Sequence, residues 1–224
     1  MPMKPIDFDR SHGELHQVIG TYLGQPADDV PDRPSLALRA CLRHTWRTRP
    51  WALSVAEQQL RDYAHNPPGR LRRRLGEFHP VPDVGLPEAS IQGWLLLLAD
   101  HIKQSIESAE APSPSTLPET RWEWHARFPE LGEFLGGWFA QDMSDEFSDH
   151  EAAVRDDDGA TDRSLVVRLV GEIRELLALG LGEAEHALAV AELGMELDPP
   201  APHSTGSRLA SVADGLSGFR PEYA

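Results

Sequence analysis

The chain has 224 residues, of which 40% are hydrophobic and 25% charged, as in ordinary globular proteins of one or two domains. Its net charge of −15 argues against binding to nucleic acid or to an anionic membrane, since both are negatively charged. A single cysteine, Cys41, excludes an internal disulfide, and the first ten residues lack the apolar core of a signal peptide. We therefore expect a cytoplasmic protein that neither binds nucleic acid nor enters a membrane.

The first half reads as helices separated by proline-rich loops. Residues Met1–Ser11 read as a loose lead-in, and apolar residues at helical spacing predict a helix over Glu14–Leu23. Ser35 is a predicted N-cap for a second helix that ends near Pro50. Ser54, followed three residues later by Glu57, resembles a capping box and predicts the start of a third helix there.

Two more helices and a linker complete the first half. Arg70–Phe78 is a short basic helix, and its arginines indicate either nucleic-acid binding or, more economically, a salt contact with the acidic second half. Glu88–Ile106 is the most apolar helix of this half. Ala111–Pro118 contains proline and serine and no charge, which is typical of a linker.

The second half repeats the helical pattern and carries most of the negative charge. Residues 1–111 contain 13 Lys+Arg and 14 Asp+Glu, whereas the remainder contains 8 and 22. Pro129 suits the first turn of a helix that leads to the aromatic pair Trp138 and Phe139. Four further helices are predicted at 150–156, 164–179 with Gly180 as its C-cap, 183–197 and 207–216.

The two halves match each other at a constant shift, which predicts an internal duplication. The identical pairs are Glu14 and Glu130, Leu15 and Leu131, Gly20 and Gly136, and Gln25 and Gln141. Alternation typical of strands is nearly absent, so the predicted fold is all-α. It would consist of two tandem five-helix modules, 12–110 and 119–218, joined by a linker at 111–118 and packed together.

Residues that could carry catalysis are few. The sequence has no nucleophile or nucleotide-binding motif, and Cys41 reads as a buried structural cysteine. A dense group of metal-ligand types follows the 129 helix, at Asp142, Asp145, Glu146, Asp149 and His150. It lacks the alternating ligands and central glycine of a calcium loop, so a solvated acidic loop is the default interpretation and no cofactor is expected.

The adjacent glycines Gly136 and Gly137 interrupt a helix that is otherwise rich in aromatic residues. Each glycine costs about 1 kcal/mol relative to alanine in a helix, so the pair needs an explanation. The favoured one is that a second helix packs closely over the missing side chains. The alternative is a surface notch that admits a side chain of a partner protein.

The stretch around this helix resembles the immunity proteins of bacterial contact-dependent growth inhibition systems. The resemblance covers about Phe128 to Leu216, and the first half departs from the pattern, with Pro26 in place of the residue equivalent to Asp142. The motif residues are Pro129, Glu130, Leu131, Phe134, Leu135, Gly136, Trp138, Phe139, Gln141 and Asp142.

The resemblance implies a small helical protein without catalytic activity that binds one cognate toxin and blocks its active site or substrate path. A basic nuclease is a toxin class that the acidic half would suit. An exposed acidic loop beside an aromatic anchor predicts the contact residues Trp138, Asp142, Asp145, Glu146 and Asp149. Two alternatives stay open: a small metal-dependent hydrolase that uses Asp142, Asp145, Glu146 and His150, and a generic acidic adaptor.

Overall fold

The computed structural model is all-α, which confirms the predicted fold class: its described residues form nine helices and no strand. The described residues are 5–66, 84–109, 117–138, 163–196 and 203–218. The predicted helices at 70–78 and 150–156 lie outside these ranges. In chain order the helices are α1 (Pro5–Gly20), α2 (Leu36–Thr48), α3 (Ala52–His65), α4 (Glu88–Ser108), α5 (Arg121–Arg127), α6 (Pro129–Trp138), α7 (Arg163–Ala178), α8 (Glu183–Glu192) and α9 (Thr205–Gly218).

The chain divides into two compact units, Met1–Glu123 and Trp124–Ala224, and each unit has its own apolar core. The division falls within α5, a helix that the sequence analysis did not predict. Seven residues make only about two turns, which is too short for an apolar period to stand out.

In the first unit α3 packs against both α1 and α4, and α2 packs against α3 and α4. The reason is the distribution of apolar residues, since every one of these helices turns a stripe of them inward. The residues with the least exposure in this core include Leu15, Ile19, Tyr22, Leu38, Leu53, Leu60, Tyr63, Leu95 and Leu98.

The predicted N-cap at Ser35 is confirmed, because its Oγ accepts a hydrogen bond from the Leu38 N–H at 3.2 Å. The loop before it is organised by Asp29. The Asp29 carboxylate accepts hydrogen bonds from the Tyr22 hydroxyl at 2.8 Å, the Ser35 N–H at 2.8 Å and Trp94 Nε1 at 3.1 Å. One side chain therefore connects the end of α1, the start of α2 and the face of α4.

Two predictions for the first unit were wrong. The lead-in is helical from Pro5, and α1 bends at His12, whose φ of −140° and ψ of 22° are not helical. The helix α3 begins at Ala52, two residues before Ser54, and Ser54 does not cap it as the capping box predicted. The N–H groups of Ala52 and Leu53 bond to the carbonyls of the Arg49–Pro50 turn, and Ser54 Oγ donates to the Trp51 carbonyl instead of capping the helix.

In the second unit α7 packs against α6 and α9, and α8 packs against α9. The predicted C-cap at Gly180 is confirmed by its φ of +69°. The helix α8 ends at Glu192, short of the predicted 197, because the chain turns through Gly194 at a φ of +104°. The core of this unit contains Phe128, Leu131, Leu135, Leu169, Ile173, Leu176, Ala189, Leu193, Leu209, Ala213 and Leu216.

Candidate partner-binding surface

The structure describes one of the five predicted contact residues. Trp138 is the last residue of α6, directly after the exposed Gly137. The other four predicted contacts, Asp142, Asp145, Glu146 and Asp149, lie outside the described residues. Their grouping beside Trp138 therefore stays a prediction.

The helix α6 has one buried side and one open side. Leu131, Phe134 and Leu135 enter the core, whereas Glu133 and the glycine pair at 136–137 are exposed. The first turn of α6 is anchored to α7, because the Leu131 N–H donates to Glu172 Oε2 of α7 at 2.8 Å. The rotation of α6 is thus fixed, and its glycine side faces outward.

The favoured explanation of the glycine pair, close packing over the missing side chains, was wrong. Among the described residues, a Cβ built on Gly136 or on Gly137 would meet no atom within 4 Å. The close contact lies one turn earlier, at Gly132, where a Cβ would be 2.7 Å from His125 Nδ1 and 3.6 Å from Leu193 Cδ2. The pair is therefore an opening in the surface, as the alternative interpretation requires.

The C-terminal end of α8 lies beside this opening. A Cβ on Gly194 would be 3.2 Å from the Cα of Gly136, so the two backbones approach closely there. His125 Nε2 donates to the carbonyl of Glu192 at 3.0 Å and holds the end of α8 in place. We call Gly136, Gly137 and Gly194 the glycine corner; sequence reasoning missed Gly194 because its partner is distant in the chain.

The two units differ strongly in net charge. Residues 1–123 contain 14 Lys+Arg and 16 Asp+Glu, a net −2, whereas residues 124–224 contain 7 and 20, a net −13. Two of the arginines of the second unit form ion pairs, Arg127 with Glu175 at 2.8 Å and Arg168 with Glu130 at 2.6 Å. The surface of the second unit is consequently suited to a positively charged partner.

Three features of the described ranges bear on whether the protein is an enzyme or a membrane protein. Cys41 is buried, and burial raises its pKa to about 12, which makes it a poor nucleophile. Among the described residues no group of three or more His, Cys, Asp or Glu side chains could hold a metal ion. The acidic cluster of the metal-hydrolase alternative lies outside them. No described helix has the length and apolar character needed to cross a membrane.

Comparison with known proteins gives one match. Neither the curated proteins nor the solved structures include a match to the chain. Residues 127–216 match the family model of the CdiI immunity protein, a span that contains α6, α7, α8 and all but the last two residues of α9 and is less than half of the chain. This match supports the CdiI immunity family for residues 127–216.

Proposed function

We propose that this protein binds one cognate bacterial toxin and neutralises it by covering the active site or substrate path of the toxin. The observation that carries the proposal is the family match over residues 127–216. The proposed contacts are Trp138 as an aromatic anchor, with Asp142, Asp145, Glu146 and Asp149 around it. Anchors of this kind supply much of the binding energy in protein interfaces.

The charge of the second unit supports a basic toxin, of which a nuclease is one class. A net −13 over residues 124–224 accelerates encounter with a positive partner and disfavours acidic ones. The glycine corner adds an open surface at the end of α6, where a partner can approach the helix backbone closely. The proposed place of action is the cytoplasm, where an imported toxin would meet it.

We also propose that the first unit is a degenerate copy of the second, with modules at 12–110 and 119–218. Leu15 and Leu131, paired by the duplication, both have zero exposure. Both N–H groups donate to a side-chain oxygen of another helix in their unit, Gln59 of α3 at 3.0 Å and Glu172 of α7 at 2.8 Å. The matching core position supports common descent.

The experiment is growth rescue by co-expression with the toxin encoded next to this gene, together with a measured Kd for the purified pair. We expect rescue by the unmutated protein. The variant Asp142→Asn, Asp145→Asn, Glu146→Gln and Asp149→Asn removes four charges with little change in shape. It should lose rescue and bind at least tenfold more weakly, equivalent to about 1.4 kcal/mol.

The matched control removes four charges from the same stretch of sequence, at Asp156, Asp157, Asp158 and Asp162. It should retain rescue if specific contacts rather than total charge matter. Thermal stability is measured in parallel, because the duplication aligns Asp145 with Asp29, which is a structural residue in the first unit. Failure of the unmutated protein to rescue growth would end the proposal.

A further inference from the structure

The helix α8 is apolar on two opposite sides. One side enters the core with Ala189 and Val190. On the other side lie four exposed apolar residues, which at 100° per residue fall within a sector of about 100°. We call this set the outer face of α8; its members are Ala184, Ala187, Leu188 and Ala191.

A solvated helix face normally carries polar residues, and a helix that is apolar all round is normally covered. Leu188 is 62% exposed, and it sits among three exposed alanines rather than alone. The helix α7 offers a contrast, because its exposed Val167 has the exposed Arg168 and Ser164 as near neighbours. The outer face of α8 is therefore an apolar surface without a cover among the described residues.

Carboxylates border this face on both sides. On the helical projection Glu185 and Glu192 flank one edge and Glu183 flanks the other, and α8 contains no Lys or Arg. The Glu183 carboxylate accepts hydrogen bonds from the N–H groups of Thr205 and Gly206, which lower its pKa and keep it charged. An apolar centre with an acidic rim suits a partner that has an apolar patch bordered by Lys or Arg.

Charge argues against two of the possible occupants. A second copy would bring two acidic units together, each at a net −13 over residues 124–224. The stretch 139–162 of the same chain contains nine Asp+Glu and one Arg, so it carries the same sign as the rim. Like charges at close range oppose both arrangements.

We propose that the outer face of α8 is a docking surface for the cognate toxin, which it contacts through an apolar patch with a basic border. The proposal rests on the proposed function and extends its contact surface from the end of α6 to α8. The two regions adjoin, because Gly194, just after α8, lies against Gly136 in the glycine corner.

The test uses the full chain and the purified toxin domain encoded beside it. The variant Ala187→Gln with Leu188→Gln replaces two outer-face residues by a good helix former and adds no charge. The matched control is Val167→Gln, since Val167 of α7 is 63% exposed and Leu188 is 62% exposed. Calorimetry should give at least a tenfold higher Kd for the α8 variant and an unchanged Kd for the control, with both Tm values unchanged.

The outcomes separate the two proposals. If the unmutated chain does not bind the toxin, the proposed function fails and takes this inference with it. If it binds and the α8 variant binds equally well, only the inference is overturned. If the α8 variant has a lower Tm but binds the toxin equally well, the outer face of α8 is covered by this chain's own basic stretch at 70–78. If its oligomeric state changes, the outer face is covered by a second copy. Either result overturns the toxin assignment.

Discussion

Among single residues, Asp29 links three elements of the first unit. Replacing it with alanine removes the acceptor of the fully buried Tyr22 hydroxyl and of Trp94 Nε1, and a buried donor without an acceptor costs about 1–3 kcal/mol. We expect Asp29→Ala to lower the free energy of unfolding of this unit by about 2–3 kcal/mol in urea denaturation. The neighbouring Asp28 is exposed, so Asp28→Ala should change it by less than about 0.5 kcal/mol. Equal effects would contradict the role given to Asp29.

A second prediction at this scale concerns pH. Burial raises the pKa of Glu172, and this effect outweighs the hydrogen bonds from backbone N–H groups, which lower it. A raised pKa in the folded state stabilises the fold below the pKa of an unfolded glutamate, about 4.3, and this contribution is lost as pH rises through the folded pKa. At neutral pH Glu172 is charged, and a neutral acceptor of the same shape would therefore stabilise the fold more at this position. The first unit uses a neutral acceptor, Gln59, for the N–H of Leu15.

We expect Glu172→Gln to raise the free energy of unfolding at pH 7.5 and to lose this advantage near pH 4. The control is Glu133→Gln, which removes one charge from an exposed position of the same unit and reports the general effect of lower negative charge. Denaturation curves at both pH values measure the difference. A gain for Glu172→Gln no larger than the gain for the control would contradict burial as the cause.

At the scale of elements, the glycines of α6 differ in packing: Gly132 is closely packed, and Gly137 is exposed. A Cβ at Gly132 would be 2.7 Å from His125 Nδ1, whereas one at Gly137 would meet no atom of the described residues within 4 Å. We expect Gly132→Ala to destabilise the second unit by about 1–3 kcal/mol, as overpacking does. Gly137→Ala should stabilise the unit by up to about 1 kcal/mol, since alanine favours the helix. Thermal denaturation of both variants checks the pair, and the opposite order would show that the closed position is 137.

Apart from α5, the described helices were predictable from the sequence, and several of their boundaries were not. Ser35 and Ser54 both resemble N-caps, yet only Ser35 caps a helix. The turn at Arg49–Pro50 already supplies carbonyls for the N–H groups of Ala52 and Leu53, so α3 starts before Ser54. Local pattern marks where a cap can form, but the path of the preceding turn decides whether the helix needs it.

The same limit applies to the candidate surface. Apolar spacing identified the buried side of α6, and the glycine pair marked its unusual side. The contact of Gly136 with Gly194 joins residues far apart in the chain, which periodicity cannot reveal. The outer face of α8 could have been recognised from the sequence, because alanines recur on both sides of this helix. No Asp, Glu, Lys or Arg lies between Glu185 and Glu192.

At the scale of the whole molecule, the sequence predicted a linker over 111–118, whereas contacts assign residues up to Glu123 to the first unit. The reason is Arg43 of α2. Its guanidinium contacts Glu123 through Nε at 3.0 Å and Nη2 at 2.7 Å, and Glu119 through Nη1 at 2.7 Å. The Glu123 side chain is only 1% exposed, so this ion pair is buried.

Breaking this ion pair should release residues 117–123, which lead into α5 and form its start, from the first unit. Arg43→Ala leaves the buried Glu123 carboxylate without its cation, and removing one partner of a buried pair costs about 3–5 kcal/mol. We expect a loss of about 3 kcal/mol in unfolding free energy and faster hydrogen exchange over residues 117–123. Arg39 provides the control, because it lies 3.9 Å from Glu119 and both side chains are 44% exposed. Arg39→Ala should therefore change stability by less than about 1 kcal/mol. If exchange over 117–123 were the same in both variants, the boundary would have to be set by packing, with Trp122 against His44 as the contact to test next.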